Sequence, residues 1–179
     1  MSFTEMAMRM YPYWIMGLFM FFAVFTSKYR YLLRVEYKPV LKWLAFLIGL
    51  TAYRIIIFKY FTDLDKLHGQ TGGALDIPLG ATATVFWEDL CHTVPVAVLA
   101  AYLGQDKLWK KAIIFICLAV MMISFGLGHT YQGYITAFIL SFYIPYTFRK
   151  GREIGFGSIG ICHMCYDFVT ILTLKHYLG

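Results

Sequence analysis

Apolar residues along this 179-residue chain come in long unbroken blocks, not in the period-two pattern of a half-buried strand. The blocks run from Met10 to Thr26, Val40 to Phe58, Leu79 to Leu103, Ala112 to Gly128, Tyr134 to Phe148 and Ile154 to Leu174. A helix needs about 20 mostly apolar residues to cross the hydrocarbon of a bilayer, with a range of about 17 to 25. Runs such as "WIMGLFMFFAVF" and "AIIFICLAVMMISFGLG" do not alternate, which argues against a transmembrane barrel built from dyad segments of about ten residues. The pattern predicts an all-α fold, a polytopic membrane helix bundle of about six transmembrane helices. The first block has no small-residue cleavage site and is followed by Lys28, Arg30 and Arg34. It is expected to be a span and not a signal peptide.

Composition strengthens this picture. The chain is 60% hydrophobic, 19% aromatic and 15% charged, with a mean hydropathy of +0.63. A soluble domain is nearer half apolar and a quarter charged. No stretch has the composition of a soluble domain, and no repeat of fixed period appears, so residues 1–179 are expected to form one membrane domain. Tyr11, Tyr13, Trp14, Trp43, Trp87 and Trp109 fall near block ends, as an interfacial aromatic belt would.

The net charge of +6 raises the question of nucleic acid, and its distribution answers it. Basic residues gather between the first and second blocks (Lys28, Arg30, Arg34, Lys38), between the third and fourth (Lys107, Lys110, Lys111), and between the fifth and sixth (Arg149, Lys150, Arg152). The intervening loop from Lys59 to Pro78 carries Asp63, Asp65 and Asp76. This alternation follows the positive-inside rule, with both termini on the non-cytoplasmic face of the cell (inner) membrane. The expected partners are the bilayer, including its anionic lipids, and not nucleic acid.

Two motif matches are set aside. "GFGSIG", Gly155 to Gly160, is a literal G-x-G-x-x-G, but it opens an apolar helix after a basic loop and not the helix of a βαβ unit. Small residues that let helices approach closely explain it better. Cys162 and Cys165 form a C-x-x-C without a second pair, so they are read as small apolar residues.

The polar residues inside the blocks carry more. Glu88, Asp89 and His92 lie in the third, His129 ends the fourth, and His163 and Asp167 lie in the sixth. Ionisable groups at membrane depth usually face the bundle interior, pair and mark function. Glu88 and His92 are spaced i,i+4, as are His163 and Asp167, so each pair shares a helical face. Asp89 points about 100° away from Glu88 and is expected to brace a neighbouring span. With the loop-derived topology, Glu88 lies roughly 13 Å into its span at 1.5 Å per residue, and His129, His163 and Asp167 fall at compatible depths. One pocket, with Asp167 fixing the tautomer of His163, is the expectation.

These residues resemble the CAAX-protease and bacteriocin-processing family of intramembrane peptidases, also called CPBP or Abi. That family carries Glu-Glu-x3-Arg, Phe-x3-His and His-x3-Asp/Asn on separate helices. Here Phe125 and His129 make the second motif, and His163 and Asp167 the third. The first is Glu88 and Asp89 with Thr93 where the family has Arg. The resemblance covers roughly Phe86 to Phe168, within a family-like core of about 79–174. It implies a glutamate-dependent endopeptidase that cuts membrane-associated or lipidated proteins or peptides near the C-terminus. In that reading Glu88 activates water, His129 orients it or stabilises the oxyanion, and His163 and Asp167 complete the pocket, with Asp89 and His92 as support. No cofactor or metal is implied. Two other readings stay open, a zinc-dependent membrane hydrolase and a non-catalytic scaffold or proton-coupled transporter.

Overall fold

An α-helix satisfies every interior backbone N–H and C=O within its own segment, which suits long apolar blocks. The computed structural model describes residues 3–45, 78–130 and 133–178, and all regular structure among them is helical. Helix α1 is Phe3–Phe25, followed by a 3₁₀ turn at Arg30–Leu33, and α2 begins over residues 37–45. Then come α3 (Pro78–Leu103), α4 (Leu108–Gly128), α5 (Tyr134–Ser141), α6 (Tyr143–Ile154) and α7 (Phe156–Leu178). Most of the second apolar block and the acidic loop with Asp63, Asp65 and Asp76 lie outside the described residues.

Helix α3 is the centre of the bundle, packed most extensively against α7 and α1. Its Leu90, Val94, Val96, Ala97 and Ala100 join Val24, Leu32, Ile114, Phe148 and Phe156 in one buried core. Trp14 donates its indole N–H to Thr84 Oγ1 at 3.0 Å and its ring meets that of Trp87 at 5.8 Å. These two tryptophans therefore join α1 to α3, and Trp109 is 54% exposed.

The fifth apolar block is two helices, not one. Pro145 has no N–H for the carbonyl of Ser141 and its ring crowds that position, so the helix breaks at Phe142 and α6 restarts at Tyr143. The basic segment Arg149 to Glu153, expected as a loop, is the end of α6. Its charges pair along the helix, Lys150 with Glu153 at 2.6 Å and Arg149 with Glu153 at 3.4 Å.

At Gly155 the backbone takes φ +90°, a region open to glycine and strained for other residues. That turn lets α7 lie against the segment after the 3₁₀ turn. A Cβ at Gly155 would collide with the carbonyl oxygen of Arg34, and one at Gly157 would approach Val35 Cγ2 within 2.8 Å. Ser158 Oγ accepts the N–H of Glu36 at 2.7 Å and donates to the Ile154 carbonyl at 2.8 Å. The Arg34 guanidinium donates to the carbonyls of Arg152 and Glu153 at the end of α6. The first and third basic segments thus meet at one end of the molecule. The "GFGSIG" glycines serve close packing, with Gly160 tight against the ring of Phe86.

Among the described residues, α4 is the one helix long and apolar enough to cross a membrane, with shorter apolar stretches at Tyr11–Phe25 and Phe156–Leu172. Large apolar side chains point outward from α1, α4 and α5, among them Phe19, Phe115, Leu127, Ile135 and Phe138.

Candidate active site

Three helices deliver the polar side chains. On α3, i,i+4 spacing sets Glu88 above His92, and the His92 ring bonds back to its own helix, Nδ1 to the Glu88 carbonyl oxygen at 2.9 Å. At the C-terminal cap of α4, His129 Nδ1 bonds the Phe125 carbonyl oxygen at 2.8 Å. A carbonyl only accepts, so in both rings Nδ1 carries the proton and Nε2 is turned away from the helix backbone.

His163 follows the same rule with a partner from another helix. Its Nδ1 lies 3.0 Å from Asp89 Oδ2 and 2.9 Å from the Tyr143 hydroxyl. Tyr143 donates to the same Asp89 oxygen at 3.0 Å. Asp89 is 4% exposed, and its other oxygen, Oδ1, is buried without a hydrogen-bond partner among the described residues. The sequence pointed to Asp167 as the partner that holds His163. The structure sets Asp167 Oδ2 at 3.8 Å from Nε2, within ion-pair range and beyond a direct hydrogen bond. Asp89 holds the ring instead. Its 100° offset from Glu88 does turn it toward neighbouring helices, and the groups it meets there are a histidine and a tyrosine.

Phe125 connects the rest. It is buried and stacks on His129 with centroids 4.2 Å apart, stacks on Tyr143 at 5.6 Å, and meets His92 edge-on at 5.6 Å. Tyr143 in turn packs its ring 4.7 Å from that of His163. Glu88 is partly buried on α3, with His163, Asp89 and Asp167 as the charged groups around it. The residues of the expected site come from α3, from α7 and from the C-terminal cap of α4, with Tyr143 and Phe125 as the links between them. Phe125 was visible as part of its motif. Tyr143 was not, because one aromatic residue in "SFYIPYTF" carries no spacing signal.

Thr93 stands at the position of Arg in the Glu-Glu-x3-Arg pattern, and its burial leaves no space for one. It is fully buried, bonds the Asp89 carbonyl oxygen at 2.6 Å and sits one turn below Asp89 on the same face. Among the described residues no three His, Cys, Asp or Glu side chains come together in a way that would hold a metal ion. Cys162 and Cys165 are free thiols, the first buried and the second partly so.

No protein-family model matches the chain, and no curated protein or solved structure matches it either.

Proposed function

We propose that this protein is an integral membrane endopeptidase, similar to the CAAX-protease and bacteriocin-processing family, that cuts membrane-associated or lipidated proteins or peptides. The observation that carries the reading is the 3.0 Å contact of Asp89 with His163, which joins the first and third motifs across two helices of an apolar bundle. Glu88 is the base that takes a proton from water as the water oxygen attacks the scissile carbonyl, and it returns that proton to the leaving amine. His129 and His163 each have Nδ1 engaged, which fixes the orientation of the ring, and a protonated ring stabilises the oxyanion. Asp167, near His163 Nε2, completes the polar wall.

The membrane reading draws support from the outward apolar side chains. Only 17% of the apolar stretch of α4 is buried, whereas the core helix of a soluble protein would be mostly covered. Helix α3 is less apolar than its length suggests because it carries Glu88, Asp89 and His92, the residues of the proposed site. A cytoplasmic position for the basic segments, with both termini outside, accords with Arg34 bridging two of them.

The test compares membrane-protein termini in cells carrying the wild type and Glu88→Gln. Termini that appear only with the wild type are the expected result, since the amide keeps the shape and loses the base. Near-normal cleavage by Glu88→Gln would end the glutamate-peptidase reading.

A further inference from the structure

We infer that Tyr143 is a positioning residue, and that Tyr143, Asp89 and His163 act as one unit holding the His163 ring in a single orientation with Nδ1 inward and Nε2 toward Asp167. The triangle of Tyr143 hydroxyl, Asp89 Oδ2 and His163 Nδ1 has edges of 2.9 to 3.0 Å. A carboxylate oxygen has two lone pairs and no proton, so it can accept from both of the others at once. In that arrangement the hydroxyl proton and the Nδ1 proton both point at Oδ2. The ring is then tethered by hydrogen bonding at Nδ1 and by ring packing against Tyr143.

The fold supplies the reason Tyr143 is available. It is the first residue of α6, directly after the break that Pro145 imposes, and the break turns it toward α3 and α7. Its ring also stacks on Phe125, so the same side chain connects the His163 tether to the helix that carries His129. Asp89 Oδ1 has no hydrogen-bond partner among the described residues, so both tethering bonds fall on Oδ2. In the peptidase reading, on which the catalytic half of this inference rests, a fixed Nε2 is what a developing oxyanion or a bound water would meet.

Phenylalanine at 143 keeps the ring contacts and removes only the hydroxyl. The experiment uses the full chain in lipid nanodiscs, with ¹⁵N-labelled histidine observed by NMR and the peptidase assay run alongside. The wild type should show His163 protonated at Nδ1. Tyr143→Phe should keep its unfolding midpoint within a few degrees while the His163 Nδ1 signal moves and broadens, because one tether is gone. Turnover should fall about tenfold with KM unchanged, the size expected for losing a hydrogen bond to a charged group. In an Asp89→Asn background the same change should cost far less, because the two residues act through one ring. A wild-type His163 protonated at Nε2 alone, or His163 signals identical with and without the Tyr143 hydroxyl, would overturn the inference. The spectroscopic readout needs no cleavage, so a protein with no peptidase activity would sink the functional reading and leave this one to be decided by NMR.

Discussion

Asp89 and His163, 74 positions apart in sequence, meet at 3.0 Å between Oδ2 and Nδ1 and join α3 to α7 through a buried polar contact. A buried pair of this kind is worth little if both partners are replaced together by apolar groups. It is expensive to break from one side. Asp89→Ala strands the Nδ1–H of His163 and the hydroxyl of Tyr143 together, and should lower stability by roughly 2–3 kcal/mol. Asp89→Asn, which still offers an oxygen, should lose under half of that. Thermal unfolding in detergent measures both, and equal losses would show that the carboxylate does not hold the ring.

Thr93→Arg restores the family's first motif on paper. The position is fully buried beside Val94, and its hydroxyl already serves the Asp89 carbonyl. A guanidinium there enters a packed core and competes with His163 for Asp89. Expression and folded yield should drop sharply, with no gain in cleavage. A stable, more active variant would mean that the helix can rotate to admit it.

Gly155→Ala should be among the most damaging single-atom additions to the chain, because φ is +90° and the new Cβ would meet the Arg34 carbonyl. Strain of that kind, plus the displaced contact, amounts to something on the order of 2–4 kcal/mol. Gly128→Ala is the control, since nothing lies within 4 Å of its Cβ position. A comparison of unfolding midpoints that ranked the two alike would contradict the docking of α7 on the 3₁₀ segment.

Cysteines introduced at Lys38, Lys107 and Lys150 should all label from the cytoplasmic side of intact cells, and one at Asp65, outside the described residues, from the opposite side. Lys38 and Asp65 labelling from the same side would remove the six-span topology and the depth argument with it.

Acid should weaken two exposed pairs. The hydrogen bond from Lys110 holds the Asp106 carboxyl below its usual range, and Lys150 does the same for Glu153. A carboxyl with a lowered folded value stabilises the fold fully above its unfolded value, near 4, and loses that contribution as pH falls through the folded one. Both sites are solvent-exposed, so the effect is small. The wild-type midpoint should therefore fall slightly more between pH 5 and pH 3 than that of the Asp106→Asn, Glu153→Gln double variant. Equal falls would mean that the pairs add nothing.

The sequence alone pointed to helices, the regular structure of all the described residues, because blocks of this length do not alternate as strands do. It also singled out six ionisable residues as candidates, since an acid or imidazole in an apolar run is conspicuous wherever the run goes. It did not reveal the break at Phe142. Pro145 stood in plain view, but a proline either kinks or ends a helix, and neighbouring helices decide which. Arg149 to Glu153 read as a loop because charge suggests solvent, yet i,i+3 and i,i+4 pairing made those residues the last turn of α6. Partner choice was the tertiary structure's alone. Spacing put Asp167 on the same face as His163 and turned Asp89 100° from Glu88, but helical geometry gives an angle and not the helix found at that angle. Packing α3 against α7 brought Asp89 to His163, and the restart of α6 added Tyr143, one of 14 tyrosines with nothing in the sequence to single it out.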